Sequence, residues 1–503
     1  MTRSPLTTRI IAVGVALIVT LLTPFVLRPK SSGNQDSADE TLVIISPHNA
    51  TIRDEFDRAF RKWAEANLGK KVYIDWRTPG GTSEIRRVLE SEFEYASESG
   101  RRGIGIDLMF GGGAYDFKRQ AAAGHLAPSQ AIQRELELLL SGIIPHSFTG
   151  ETFYDPHGLW IGTCISSFGI VYNSDSLAAL GIESPPKSWD DLADPRYFGK
   201  IALADPTKSG SANKAFESLI QQKIQEETAK VSPDAVHPER DRQEAIKRGW
   251  ANALNLIQRI GANARYYTDS ASKIPLDVAQ GNAAAGMCID FYGRTLAEQL
   301  TTLDGSSRVH FITPRNGTSA SVDPVAILRG APNPELAEAF IEFCLSKPGQ
   351  RLWNGKVGSP DGPTENALRR LPIRRDLYTE KELEHFTDPE ALPYEATAGF
   401  NYDPALTGNA FSSIAVIIKA MCIDSHDELK EAMTAIQRNG KPNQATEALF
   451  DVSITSYSNA VGGISETLAD DNKIHTSKLS RNLVKRFREN YRRAAALARR
   501  STR

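Results

Sequence analysis

Short apolar runs alternate with longer stretches of helical period from residue 42 to about residue 360. Leu42-Val-Ile-Ile45 is continuously apolar, as expected of a strand covered on both faces. Ile52, Phe56, Phe60 and Trp63 recur at intervals of three or four residues, so they share one helix face. Val72-Tyr-Ile-Asp-Trp76 predicts the next strand. Ile85, Val88 and Leu89 mark a second helix, and Asp107-Leu-Met-Phe110 a third strand that ends in Gly111-Gly-Gly113. This βαβαβ alternation predicts a mostly parallel sheet covered by helices.

A second sheet is expected to begin after residues 161–172. Ile201-Ala-Leu-Ala204 predicts a strand, and Asp205-Pro-Thr-Lys-Ser-Gly-Ser-Ala212 opens a helix. Residues 221–248 are charged, with few large apolar side chains, and predict a surface helix or loop. Residues 264–267, 274–280 and 284–289 read as strand, helix and strand. After a short strand at 308–312, the run Ser321-Val-Asp-Pro-Val-Ala-Ile-Leu328 returns to the first sheet. Asn333-Pro334 caps and starts a helix that carries Leu336, Phe340 and Phe343 on one face. Beyond about Asp361, helices and long loops replace strands.

A length of 503 residues implies two or more lobes. Hydrophobic content of 41% and charged content of 24% are those of a soluble globular protein. The net charge of −2 gives no pull toward nucleic acid. Cys164, Cys288, Cys344 and Cys422 lack metal or redox spacing and are expected as buried free thiols. At the N-terminus, Arg3 and Arg9 precede an apolar run from Ile10 to Leu27, long enough to cross a bilayer. An uncleaved anchor is favoured over a removed signal, because no small-x-small cleavage site closes the run. Either one places the rest of the chain outside the cytoplasm, behind a polar tether at 29–40. At the other end, residues 473–503 hold eleven Lys or Arg and one acid, Glu489. Leu483, Phe487, Tyr491 and Ala494 share a face there, so the segment reads as a solvated terminal helix or as one that lies on anionic lipid.

Candidate chemistry sits at strand ends, where open α/β sheets bind ligands. Ser46-Pro-His-Asn49, Gly80-Gly-Thr-Ser83, Gly111-Gly-Gly113 and Thr207-Lys-Ser-Gly-Ser211 are all rich in glycine or hydroxyls. Free N–H groups at a helix start attract anions, and Ser or Thr adds directed hydrogen bonds. Taken singly, each loop is also satisfied as a turn plus an N-cap. His48 stands out because it lies at a strand end. The aromatic pairs Tyr266-Tyr267 and Phe291-Tyr292, with Asp290 and Asp269 nearby, suit either packing or a hard cation such as ferric iron. The sequence has no GxSxG elbow, no HExxH helix and no GxxxxGK[ST] loop, which argues against an enzyme.

Several stretches resemble the type II periplasmic solute-binding proteins of ABC importers, in the branch that binds ferric iron, thiamine, phosphonates and sugar phosphates. They are Asp107-Leu-Met-Phe-Gly-Gly-Gly113, Ala123-Gly-His-Leu126, Gly169-Ile-Val-Tyr-Asn173, Ser188-Trp-Asp-Asp-Leu192 and Asp194-Pro-Arg-Tyr-Phe-Gly-Lys200. Asp205-Pro-Thr-Lys-Ser-Gly-Ser-Ala212, Val278-Ala-Gln-Gly281 and Ala331-Pro-Asn-Pro-Glu-Leu-Ala-Glu-Ala-Phe340 complete the set. The resemblance implies an α/β fold of two lobes that close on a ligand and then dock on a permease. It divides the chain into an anchor or signal (1–28), a linker (29–40), lobe 1 (41–160 and 301–360), lobe 2 (161–300) and a mostly helical extension (361–503).

By that likeness Ser46, Asn49, Thr82, Ser83, Gly112, Gly113, Ser209 and Ser211 would meet the ligand. His48, Thr207, Tyr267 and Tyr292 join them as candidates from the loop and aromatic patterns. Iron-binding members carry adjacent tyrosines where this chain has Asp290-Phe-Tyr-Gly293, so one phenolate is missing. A small organic anion, phosphorylated or a phosphonate, is therefore expected. Ferric iron held through Tyr292 and Asp290 is the alternative, and a membrane-tethered sensor is another. The implied protein is a periplasmic monomer without a cofactor, tethered to the inner membrane, whose partners are ABC permease subunits and not nucleic acid.

Overall fold

The computed structural model describes residues 38–500, apart from 235, 303, 304, 398, 441, 442 and 471. The expected membrane segment, with most of the linker, lies outside the described residues.

In chain order the first strands are β1 (Glu40–Ile45), β2 (Val72–Arg77), β3 (Leu108–Phe110), β4 (Leu126–Ala127), β5 (Ser147–Phe148), β6 (Glu151–Thr152) and β7 (Ile161–Ser166). Then come β8 (Phe168–Asn173), β9 (Ile201–Ala204), β10 (Ala264–Thr268), β11 (Ala285–Ile289), β12 (Val309–Ile312), β13 (Ser321–Leu328) and β14 (Leu371–Pro372). One sheet runs in the order β14-β7-β13-β3-β1-β2, with β4 beside β13. A second runs β10-β9-β11-β8-β12, and β5 and β6 form a hairpin.

The first sheet is mixed rather than mostly parallel. Strands β1, β2 and β3 are parallel because helices α1 (Ala50–Leu68) and α2 (Thr82–Glu98) carry the chain back between them. Strand β13 re-enters from the other lobe and runs antiparallel to β3, β4 and β7. Residues 161–166, expected near the start of the second sheet, belong to the first, and residues 309–312 belong to the second. The chain therefore crosses between lobes twice, at Ser167 and between β12 and β13.

Five more helices frame the lobes and the path between them: α3 (Ala114–Ala122), α4 (Gly210–Thr228), α5 (Pro238–Asn263), α6 (Asp290–Gln299) and, in the extension, α7 (Phe411–Ile418). The extension continues as α8 (His426–Arg438), α9 (Asn443–Leu449) and α10 (Lys473–Arg500). Much of the charged stretch 221–248 is exposed helix and turn, as expected, but its first residues are not. It forms the end of α4 and the start of α5, and Gln221 and Gln222 are buried. Their polarity is matched by the extension and a nearby loop: the Gln221 amide donates to the Asp403 carbonyl (2.8 Å), and that of Gln222 to the Arg315 carbonyl (3.1 Å).

Two buried donors of α5 find partners in the extension in the same way. The indole of Trp250 donates to the Thr455 carbonyl (2.8 Å), and the Gln258 amide donates to the Tyr491 hydroxyl (3.0 Å). The apolar face of α10 is used internally: Leu483, Phe487, Tyr491 and Ala494 are buried, which leaves no such face for lipid. The segment Pro404–Ile423 is apolar and long enough to cross a membrane, yet most of it is buried in the fold. All four cysteines are free and buried.

Candidate ligand cleft

Residues that follow β1, β2, β3, β9, β10 and β11 line one cavity of about 1080 Å³. Both lobes contribute to it, and they touch. A Cβ on Gly81 would lie 3.3 Å from the Lys208 carbonyl, and one on Gly210 would lie 3.7 Å from the Cβ of Thr82. The lobes are closed around the cavity.

Four helices begin at this cavity. Asn49 caps α1 by accepting from the Ile52 amide (3.0 Å), and Ser209 caps α4 by accepting from the Ala212 amide (3.3 Å). Helices α2 and α3 start at Gly81 and Gly113, neither of which can offer a capping side chain. Their first-turn N–H groups lack a capping side chain and carry the partial positive charge of a helix start, though that of Asp116 donates to the Gly113 carbonyl (3.1 Å). Glycine is required at the corner itself. Gly111 and Gly112 have φ of 91° and 112°, and a Cβ on Gly111 would sit 2.5 Å from the His48 ring.

The floor of the cleft is ionic. Arg370 is buried and pairs with Asp323 (2.6 Å), which also meets His48 Nε2 at 3.3 Å. Arg370 donates to the Ser166 hydroxyl as well, and its guanidinium lies 4.5 Å from the Phe291 ring centroid. Burial would raise the Asp323 carboxyl, but the charge of Arg370 and the hydrogen bond to His48 hold it below the ordinary range. Burial lowers His48, and the positive charge of Arg370 opposes its protonation, so His48 is neutral. Two buried nitrogens, His48 Nδ1 and Arg370 Nε, find no hydrogen-bond partner among the described residues.

One wall is a second ionic cluster. Lys214 of α4 bridges Glu151 of β6 and Glu217, both at 2.8 Å, and its ammonium lies 3.5 Å from the Tyr402 ring centroid. Lys118 and Lys208 also line the cleft, and neither has an ion-pair partner among the described residues.

The structure brings His48, Asn49, Thr82, Gly112, Gly113, Ser209, Ser211 and Tyr292 to the cleft and leaves other candidates out. Ser46 is buried and accepts from the His48 amide (3.1 Å). Ser83 falls on the core side of α2 with Ile85 and Leu89. Thr207 turns back to donate to Asp205 (2.6 Å). Tyr267 is partly buried, with its hydroxyl covered beside Cys422 and its ring against His426 of the extension. Asp290 faces away, bonded to Arg294 at 3.0 Å, which removes it as a metal ligand at the cleft. Among the described residues no group of three or more His, Cys, Asp or Glu is placed to hold a metal.

Arg370, Asp323 and Lys118 were not anticipated, and Lys208 was marked only as part of the Thr207–Ser211 loop. A local signal existed for the first: Arg369-Arg370 interrupts the apolar run Leu368 to Ile373, and a charge so flanked is buried and paired.

Residues 140–376 match the family described as bacterial extracellular solute-binding protein. The matched stretch runs from the last part of the first lobe through the second lobe to β14. A Haemophilus influenzae protein of unassigned role is 28% identical over 272 residues, 54% of this chain and 67% of its own length. The phosphoglycerate transport regulatory protein PgtC of Salmonella typhimurium is 25% identical over 192 residues, 38% of this chain. That match spans only 40% of PgtC. The substrate-binding protein of an ABC transporter from Agrobacterium tumefaciens superposes with a TM-score of 0.51 at 16% identity. It covers 77% of this chain and 95% of its own, which establishes the two-lobed fold.

The neutral, buried His48 makes stability depend on pH. Its folded-state pKa lies below the ordinary 6.5, so the unfolded chain binds the proton first and stability falls as pH drops below that value. Burial lowers His125 and His426 as well, so three histidines share the effect. Urea unfolding at pH 7 and pH 5 is expected to show a smaller acid loss for His48→Asn than for the natural protein. An equal loss would mean that folding leaves the pKa of His48 unlowered.

Proposed function

We propose that this chain is a solute-binding protein that captures a small phosphorylated organic compound between its lobes and hands it to an ABC permease. The carrying observation is the pair of uncapped helix starts at Gly81 and Gly113, joined across the cleft by the start of α4 at Ser209. Such amides bind tetrahedral oxyanions without burying a counter-charge. Lys118 and Lys208 line the cleft without an ion-pair partner among the described residues and are the cations left for a phosphate, although the acids of the lining balance the other cations. The printed name of PgtC, which refers to phosphoglycerate transport, is consistent with this chemistry.

The ligand is released unchanged, and the protein works as a monomer outside the cytoplasm, tethered by residues 10–27. Ferric iron is the weaker reading. Burial pushes the Tyr292 phenol up, which opposes phenolate formation, and its neighbour is Phe291. A tethered sensor is the second reading, favoured by the word regulatory in the name of PgtC. Loss of uptake in a deletion strain supports delivery. Retained uptake with a lost transcriptional response supports sensing.

Ligands that bind only the folded state raise its stability, by about 2.7 kcal/mol at a hundredfold excess over Kd. Thermal unfolding against phosphate esters, phosphonates, carboxylates and ferric salt is expected to show a rise of a few degrees for phosphate esters alone. The reading fails if none of the phosphorus compounds moves the midpoint.

A further inference from the structure

The cleft is much larger than a phosphate group. A cavity of about 1080 Å³ exceeds the upper end of the usual range for small-molecule sites, about 300–1,000 Å³. The helix starts supply only part of its lining. Part of what faces them comes from the extension, where Phe411 and Val461 line the cavity. The family match ends at residue 376, so both lie beyond it.

Phe411 is held rigidly from both lobes. Its ring packs against Tyr115 of α3 with centroids 4.4 Å apart, and the Tyr115 hydroxyl meets the Ser412 hydroxyl at 3.1 Å. From the other lobe, the Asn213 amide of α4 donates to the Phe411 carbonyl (2.8 Å). Helices α3 and α4 begin at the proposed phosphate end of the cleft, so the same two helices that would hold the phosphate also fix this ring. Tyr402, the other aromatic residue that the extension brings to the cleft, is already engaged by Lys214 and by Glu217 at 3.0 Å. Phe411 and Val461, with Pro404, are the apolar side chains that the extension adds to those of the lobes, among them Phe168, Ile289 and Phe291.

We infer that the C-terminal extension is a specificity-determining wall of the binding site, which selects phosphate monoesters with an apolar or aromatic body over bare phosphate. This rests on the phosphate reading above and adds the part of the ligand that the helix starts do not touch. A ring that stacks on Phe411 gains both buried apolar area and an aromatic contact.

Calorimetric titration of the full-length protein with inorganic phosphate, methyl phosphate and phenyl phosphate tests it. Phenyl phosphate is expected to bind at least about tenfold more tightly than methyl phosphate, the size of one good aromatic contact. Phe411→Ala should remove most of that preference while methyl phosphate affinity stays within about twofold, as expected when only the contact to the ring is lost. Val461→Ser, at a partly exposed position where folding is less at risk, should reduce it in the same direction. Equal binding of the two esters by the natural protein overturns the inference, as does a loss in the variants that is the same for both. Failure of all three phosphates to bind overturns the phosphate reading itself, a separate outcome from a missing ring preference.

Discussion

Replacing Lys214 with Met is expected to cost about 3–5 kcal/mol of folding stability, the usual penalty for stripping the counter-ion from buried charges. Lys214 is the only cation within ion-pair distance of Glu151 and Glu217 among the described residues. Both carboxylates are buried, and both already accept hydroxyl bonds. The Ser319 hydroxyl donates to Glu151 (2.7 Å), and those of Thr407 and Tyr402 donate to Glu217 (2.6 and 3.0 Å). Burial opposes the charge on Lys214, yet the two acids and Tyr402 more than offset it and raise its pKa. The methionine leaves two like charges with hydroxyl donors alone. Urea unfolding should show the deficit largest near neutral pH and smaller at pH 5, where an orphaned carboxylate can take up a proton. A cost below about 1 kcal/mol would place this cluster among exposed pairs, which contribute little.

The position of Lys214 gives that result a functional meaning. Glu151 belongs to β6 on the first-lobe side, Lys214 and Glu217 to the second lobe, and Tyr402 and Thr407 to the extension. The Tyr402 amide also donates to the Thr149 carbonyl (2.8 Å). One ammonium therefore ties three parts of the chain along one side of the cleft. Opening by a hinge at the two crossovers must break or stretch this link, which makes it a term in the open–closed balance.

How much of this was readable from sequence follows from distance along the chain. The glycine and hydroxyl corners were legible because a strand end and the helix start after it are local events. Asn49, Gly113 and Ser209 each open a helix within a few residues of a strand. Ser83 and Thr207 were misplaced by the same logic, since composition marks a loop as polar without saying which hydroxyl faces inward. Tyr267 was misread for a different reason. It sits beside His426 and Cys422, more than 150 residues away, and no local pattern encodes that burial.

The extension hid the rest. Gln221 and Gln258 look like solvated positions, but carbonyls and hydroxyls from residues 403–491 satisfy them. A polar helix face covered by a polar partner carries no hydrophobic signature. The sheet order misled in one respect as well. Residues 161–172 read as one apolar run, yet the chain changes sheet at Ser167, between two strands that are each buried throughout.

Arg370→Met should be the most damaging single change at the cleft floor, and its pH dependence should identify the cause. The substitution leaves Asp323 buried with His48 as its remaining ionic partner and removes the donor to Ser166. At pH 8 the expected loss is about 3–5 kcal/mol, since His48 is then neutral and cannot replace the lost charge. In the natural protein Arg370 is one of the groups that oppose protonation of His48. Without it, Asp323 favours the imidazolium, so His48 takes up a proton as pH falls toward 6 and part of the stability returns. The variant should thus gain stability on acidification over the range in which the natural protein loses it. Asp323→Asn in the Arg370→Met background should cost less than the two single changes summed, because the orphaned carboxylate is then gone. Additive losses, or a deficit that stays the same from pH 8 to pH 6, would show that Arg370 acts by filling space between Phe291 and Trp353 and that its charge contributes little.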